Sequence, residues 1–148
     1  MCGICGYIGT RIEDSVVRMM AESLNHRGPD GSGCWINEIS AFGHTRLAII
    51  DLSKAASQPM STPDDRYVVV FNGEIYNYRD IRSELQQAGE TFQSSSDTEV
   101  LLLSYRTWGR KVVDKLRGMF AFAVWDDYRR QLFLARDRIG IKPLFYAP

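Results

Sequence analysis

The sequence has no surplus of either charge, since 18 Lys and Arg are matched by 18 Asp and Glu over 148 residues. That balance gives no electrostatic case for a nucleic-acid or anionic-membrane partner, and a small neutral or zwitterionic substrate fits better. Long apolar runs are missing too: none approaches the ~20 residues of a membrane-spanning helix. The opening MCGICGYIGTRIED turns charged at Arg11 and lacks the basic and apolar segments of a signal peptide, so a cytoplasmic protein is expected. Cysteine is scarce. Three residues, an odd number, close no disulfide framework and agree with a reducing compartment. There is no internal repeat, low-complexity tract or linker, and the length suits one packed core, read as a single domain spanning 1–148.

What is present is a mixed α and β pattern with mostly antiparallel pairing. CGICGYIG reads as a short buried strand holding Ile4, Tyr7 and Ile8. From about Glu13 to Asn25, the spacing of Val16, Met20 and Leu24 predicts a helix, capped by Asp14 or Ser15. The turn His26-Arg27-Gly28-Pro29-Asp30-Gly31 follows. Ser32–Ile36 and Ser40–Ile50 read as strands around Asn37, and Asp51–Asp65 as a loop. Arg66–Phe71 is β-branched and aromatic, a strand expected to stop at Asn72-Gly73.

Tyr78, Ile81, Leu85 and Ala88 predict a short amphipathic helix closed by Gly89. Ser96-Asp97-Thr98-Glu99 has the capping-box pattern and opens a longer helix with Leu101, Tyr105, Trp108, Val112 and Leu116 on one face, weakened at Gly109. Gly118–Trp125 and Gln131–Arg136 predict a hairpin buried on both faces, and Pro143–Ala147 the start of another strand. The three tryptophans lie on separate elements without interleaved basic runs, which favours core packing over base stacking.

Cys2 follows the initiator Met, and its small side chain permits removal of that Met. A thiol beside a free α-amine would then form a minimal catalytic unit, because an α-amine titrating near ~7.7 to 8.0 can take the thiol's proton and later deliver it to a leaving group. A plain alternative is a small buried strand residue. Cys2-Gly3-Ile4-Cys5 also has the C-x-x-C spacing of redox and zinc proteins. That signal is weak, because a structural zinc wants four ligands and a redox motif should open a helix rather than lie in a strand. His26 and His44 sit in segments that read as structural, and no metal site is expected.

Seven segments in order decide between these readings. Met1-Cys2-Gly3-Ile4, His26-Arg27-Gly28-Pro29-Asp30, His44-Thr45-Arg46-Leu47-Ala48-Ile49-Ile50-Asp51, Gln58-Pro59-Met60, Phe71-Asn72-Gly73-Glu74-Ile75-Tyr76-Asn77, Ser96-Asp97-Thr98-Glu99 and Asp137-Arg138-Ile139-Gly140-Ile141-Lys142-Pro143-Leu144-Phe145-Tyr146 run nearly end to end. Together they resemble the class II glutamine amidotransferases, and most closely their asparagine synthetase branch.

The resemblance implies an α+β fold, the N-terminal-nucleophile hydrolase αββα sandwich of two antiparallel sheets flanked by helices. It implies hydrolysis of the L-glutamine side-chain amide through a Cys2 thioester, with ammonia passed to a synthetase domain or separate synthetase subunit for an ATP-dependent amidation such as asparagine synthesis. Asn72 and Gly73 match the family's oxyanion donors. Arg46 matches the residue that grips the substrate carboxylate, a task suited to a guanidinium fork, and Glu74 and Asp97 match positions that hold its ammonium group. The backbone of Leu47, Ala48, Ile49 and Ile50 is expected along the substrate, while Arg27 and Asp30 shape the pocket.

Plainer roles also fit these residues: a hairpin turn at Asn72-Gly73, a surface salt bridge for Arg46, a helix cap for Asp97. The resemblance implies no cofactor in this chain; ATP and magnesium belong to a synthetase domain whose glycine-rich nucleotide loop is absent from the sequence. Family members continue through further strands past Tyr146, so a C-terminally truncated glutaminase domain with an open sheet edge is expected. Oligomeric state stays open, a homodimer included. Two other functions remain: a non-catalytic amidotransferase-like binding module, and a small metal or redox protein built on Cys2 and Cys5.

Overall fold

The computed structural model describes residues 1–148, whose strands form two antiparallel sheets. The first contains β1 (Gly3–Ile8), β2 (Gly31–Ile36) and β3 (Ser40–Arg46) in the order β1-β3-β2. The second contains β4 (Met60–Ser61), β5 (Tyr67–Ile75), β6 (Gly118–Asp126) and β7 (Gln131–Arg136) in sequence order. Helix α1 (Asp14–Ser23) covers the outer face of the first sheet. Helices α2 (Tyr78–Gln87) and α3 (Asp97–Trp108) pack together, with α3 laid on β5 of the second. The result is the αββα sandwich expected from the sequence.

Strand alternation builds its two cores. On β5, Val68 and Val70 face the first sheet and join Phe42, Ala123 and Trp125 between the sheets. Val69, Phe71 and Ile75 face the other way and meet α2 and α3 through Ile81, Leu85, Val100 and Leu101. The larger cluster fixes α3. Its leucines are fully buried, and truncating one such as Leu101 to Ala would cost about 2–5 kcal/mol.

Several elements depart from the sequence expectations. On α1 the buried face is Val17 and Ala21 rather than Val16, Met20 and Leu24, and its N-cap is Glu13, without a side-chain capping bond. Val17 and Ala21 face the hollow above Gly43, where close backbone approach favours a small residue over a longer one. Ile8, at the end of β1, is 47% exposed rather than buried. Strand β3 ends at Arg46, so Leu47–Ile50 lie outside the sheet. The loop from Asp51 to Asp65 contains a helical turn at Lys54–Ala56 and the short β4.

Strand β5 runs through Asn72-Gly73 to Ile75, because both residues pair with β6, opposite Ala121 and Phe120. That removes the hairpin-turn reading. The long helix breaks at Gly109, where φ is +57°, a conformation that disfavours a side chain; a tight turn over Gly109–Lys111 then leads to the short α4 (Val112–Lys115). Around α3 the burial is nearly complete from Asp97 to Tyr105 rather than confined to one face. In the hairpin, β6 is buried but β7, at the sheet edge, is only half covered. Residues 143–147 form no strand, and Phe145 and Tyr146 project into solvent.

Candidate active site

Three side-chain rows run between the sheets, and each changes from apolar to polar toward the same end. At β1 the row passes from Ile4 to Cys2 just before the strand, on β3 from Phe42 through His44 to Arg46, and on β5 from Val68 and Val70 to Asn72 and Glu74. The polar ends converge. They line a cavity of about 120 Å³, completed by the loop 47–51 and the start of α3. The ten residues assigned to catalysis or glutamine binding lie on its wall: Cys2, Arg46, Leu47, Ala48, Ile49, Ile50, Asn72, Gly73, Glu74 and Asp97; Arg27 and Asp30, expected to shape the pocket, do not line it.

Local hydrogen bonds hold Cys2 in place. The Leu47 N–H donates to its Sγ at 3.4 Å, and the thiol faces the Leu47 carbonyl at 3.7 Å. Arg27 Nε donates to the Cys2 carbonyl at 3.1 Å, and Asp30 accepts the Ala48 N–H at 2.9 Å. The Arg27–Asp30 turn therefore braces both the nucleophile candidate and the loop opposite it.

Along β5, alternate N–H groups point away from β6. That of Phe71 donates to Gln58 Oε1 at 2.7 Å, and that of Ile75 to Asp97 Oδ2 at 3.0 Å. Between them the Gly73 N–H points the same way, into the cavity. A Cβ at Gly73 would lie 2.2 Å from the Met119 carbonyl oxygen, so only glycine lets β5 and β6 approach closely at this point. Asn72, 4% exposed, lines the same cavity from the adjacent position.

Arg46 is held by backbone carbonyls rather than by a carboxylate. Its guanidinium donates to Ser53 O at 2.9 Å and to Asp51 O, which rules out the plain surface salt bridge. Asp97 is not the helix cap. Ser96 is, accepting the Glu99 N–H at 3.2 Å, while Glu99 turns back to the N–H groups of Gln93 and Ser94 instead of closing the capping box on Ser96. Burial raises the Asp97 carboxyl to about 6, the Ile75 N–H opposing the rise and nearby Glu74 adding to it.

Nine further residues line the wall without having been assigned a site role from the sequence, Gln58, Asp51, Lys142 and Met119 among them. Gln58 bridges Phe71 and Thr98, accepting from the first and donating to the second at 3.1 Å. Lys142 is buried, with its Nζ 3.0 Å from the Met1 sulfur. Gln58, Asp51 and Lys142 all sit in the quoted motifs, which was the available signal; Met119 carried none.

His44 is 1% exposed and neither ring nitrogen makes a hydrogen bond. Burial pushes the ring down to about 4, so it is neutral at pH 7. Cys5 lies on the opposite face of β1 from Cys2, packed toward α1, and burial raises its thiol to about 11. The two sulfurs cannot meet without unmaking the strand, which removes the structural basis for a Cys2/Cys5 redox pair or shared metal.

Two facing antiparallel sheets with outer helices form the αββα sandwich of the N-terminal-nucleophile hydrolase fold, and Cys2 lines the cavity at the cleft between them. The family model described as "Glutamine amidotransferase domain" matches residues 1–148, and the chain belongs to that family. It is 46% identical to asparagine synthetase [glutamine-hydrolyzing] 3 and 43% to asparagine synthetase [glutamine-hydrolyzing] 1, both of Bacillus subtilis. These alignments cover 99% and 97% of this chain but 25% and 24% of the relatives, so the chain spans about a quarter of their length. Among solved structures, glutamine phosphoribosylpyrophosphate amidotransferase from B. subtilis superposes with a TM-score of 0.80 over 97% of this chain and 38% of that one. At 21% identity this likeness speaks for the fold alone.

No helix is long and apolar enough to cross a membrane.

Proposed function

We propose that the cavity hydrolyses the side-chain amide of L-glutamine and releases ammonia for an ATP-dependent amidation, as in the asparagine synthetases it resembles. The observation that carries this is the convergence, on one small cavity, of the Cys2 thiol, the Asn72 and Gly73 donors and an amino-acid cradle made of Arg46 on one side and Asp97 with Glu74 on the other.

After removal of Met1, the Cys2 α-amine takes the thiol proton and the sulfur attacks the amide carbon. The amide oxygen becomes an oxyanion that would accept from the Asn72 amide and the Gly73 N–H, a role supported by the presence of both residues on the cavity wall. Collapse of this tetrahedral species breaks the C–N bond; the α-amine returns its proton to the departing nitrogen, and ammonia leaves a γ-glutamyl thioester. Water then adds to the thioester under the same base, giving glutamate and the free thiol. Arg46 pairs with the substrate carboxylate and Asp97 with its ammonium, which fixes the side chain at attacking distance.

Hydrolysis in this scheme draws only on groups of this chain. ATP and magnesium would act in a synthetase domain or subunit that receives the ammonia, and the setting would be the cytoplasm. The test is ammonia release from glutamine by the Met1-free protein and its Cys2→Ala variant. Loss of release in Cys2→Ala with glutamine still bound is expected; equal release by both would exclude Cys2 as the nucleophile, and no binding by either would exclude a glutamine site.

A further inference from the structure

The Asp51 side chain joins the two ends of the amino-acid cradle. One oxygen accepts the Ser53 N–H at 2.8 Å, which shapes the turn whose Asp51 and Ser53 carbonyls hold the Arg46 guanidinium. The other reaches across the cavity mouth and accepts from both Ser95 N at 2.7 Å and Ser95 Oγ at 3.0 Å, 44 residues away in sequence. Ser95 directly precedes the Ser96 cap and Asp97. A single carboxylate thus ties the loop that immobilises the guanidinium to the segment that presents the opposing acid.

We infer that Asp51 is a positioning residue that sets the separation between the Arg46 and Asp97 ends of the cavity, and with it the preference for a substrate carrying both an α-carboxylate and an α-ammonium group. This rests on the cavity being a glutamine site. An amino-acid end presents two opposite charges at a fixed spacing, so a cradle that recognises both must hold its own charges at a matching distance. Nothing else recorded in the structure bonds the 47–53 loop to the 93–97 segment, so without the Asp51 carboxylate the two grips are joined only through the body of the fold. The bonds from Ser53 and Ser95 also hold this carboxyl well below the usual carboxylate range, so it stays ionised, and a full acceptor, across the working pH.

The experiment compares the Met1-free wild type with Asp51→Ala and Asp51→Asn, using glutamine and glutaramate, which is glutamine without its α-amino group. For Asp51→Ala the expected result is a KM for glutamine raised tenfold or more with kcat within about threefold, and a preference for glutamine over glutaramate that narrows by a similar factor. Asp51→Asn, which keeps one acceptor oxygen, should fall between the two. An unchanged KM and preference ratio in Asp51→Ala would overturn the inference; so would a lower melting temperature and kcat with the ratio intact, the mark of a merely structural residue. If the wild type itself fails to saturate with glutamine, the glutamine reading fails first and the inference falls with it.

Discussion

The carboxylate of Asp97 accepts the backbone N–H of Ile75 at 3.0 Å, so the acid at the head of α3 is fastened to the strand that presents Asn72 and Gly73. Substrate recognition and transition-state stabilisation would therefore share one rigid support.

Asn72→Ala should slow the chemical step by roughly a hundredfold or more with a smaller change in KM, because its amide acts on an oxyanion that exists only during reaction. Steady-state ammonia release measures both. An unchanged kcat would remove Asn72 from that role.

Arg46→Lys should raise KM by roughly tenfold or more and leave kcat within a few-fold. Lysine keeps the charge but not the fork that is anchored on the Ser53 and Asp51 carbonyls while it faces the cavity. Equal glutamine affinity in the two proteins, measured by calorimetry on a Cys2→Ala background, would count against a carboxylate clamp.

With its carboxyl raised to about 6, Asp97 takes up a proton below that pH and loses its charge for an incoming ammonium group. The KM for glutamine should therefore climb up to about tenfold per pH unit below 6. Asp97→Asn should bind weakly at every pH and show no such limb. A flat wild-type KM from pH 7 to 5 would contradict the pairing.

The motifs named the cavity wall in advance, but not the path of the chain that builds it. Leu47–Ile50 has a strand's composition, yet the chain leaves the sheet where the Arg46 guanidinium takes the Asp51 and Ser53 carbonyls and Asp51 turns to Ser95; those partners are remote or backbone atoms, which composition does not register. Asn72-Gly73 punctuates like a turn, but pairing with Phe120 and Ala121 keeps it extended. Residues 143–147 carry aromatic strand formers and still form no strand, although β7 leaves an open sheet edge, so composition alone does not decide pairing. The short α2 and the Ser96 cap were legible, since both rest on local spacing and local bonds.

His44 supplies a stability prediction. The ring protonates near 6.5 when unfolded but only near 4 when folded, so across that window the unfolded chain binds more protons and stability falls as pH drops. The loss approaches roughly 3 kcal/mol by pH 4, at about 1.4 kcal/mol per pH unit. Asp97, raised to about 6, works in the opposite sense as pH falls toward 4, so the contribution is best read as a difference between proteins. Urea unfolding of His44→Leu against wild type should show the variant gaining relative stability from pH 6.5 to 4, and a pH-independent difference would refute a neutral buried ring.

The most direct measurement compares ammonia release by two preparations of the same chain, one with Met1 removed and one retaining it through inhibition of methionine aminopeptidase, each verified by intact mass. A free amine on Cys2 is the proposed proton carrier, so the processed form should turn over glutamine and the Met1-bearing form should be inactive. Equal rates would contradict the account.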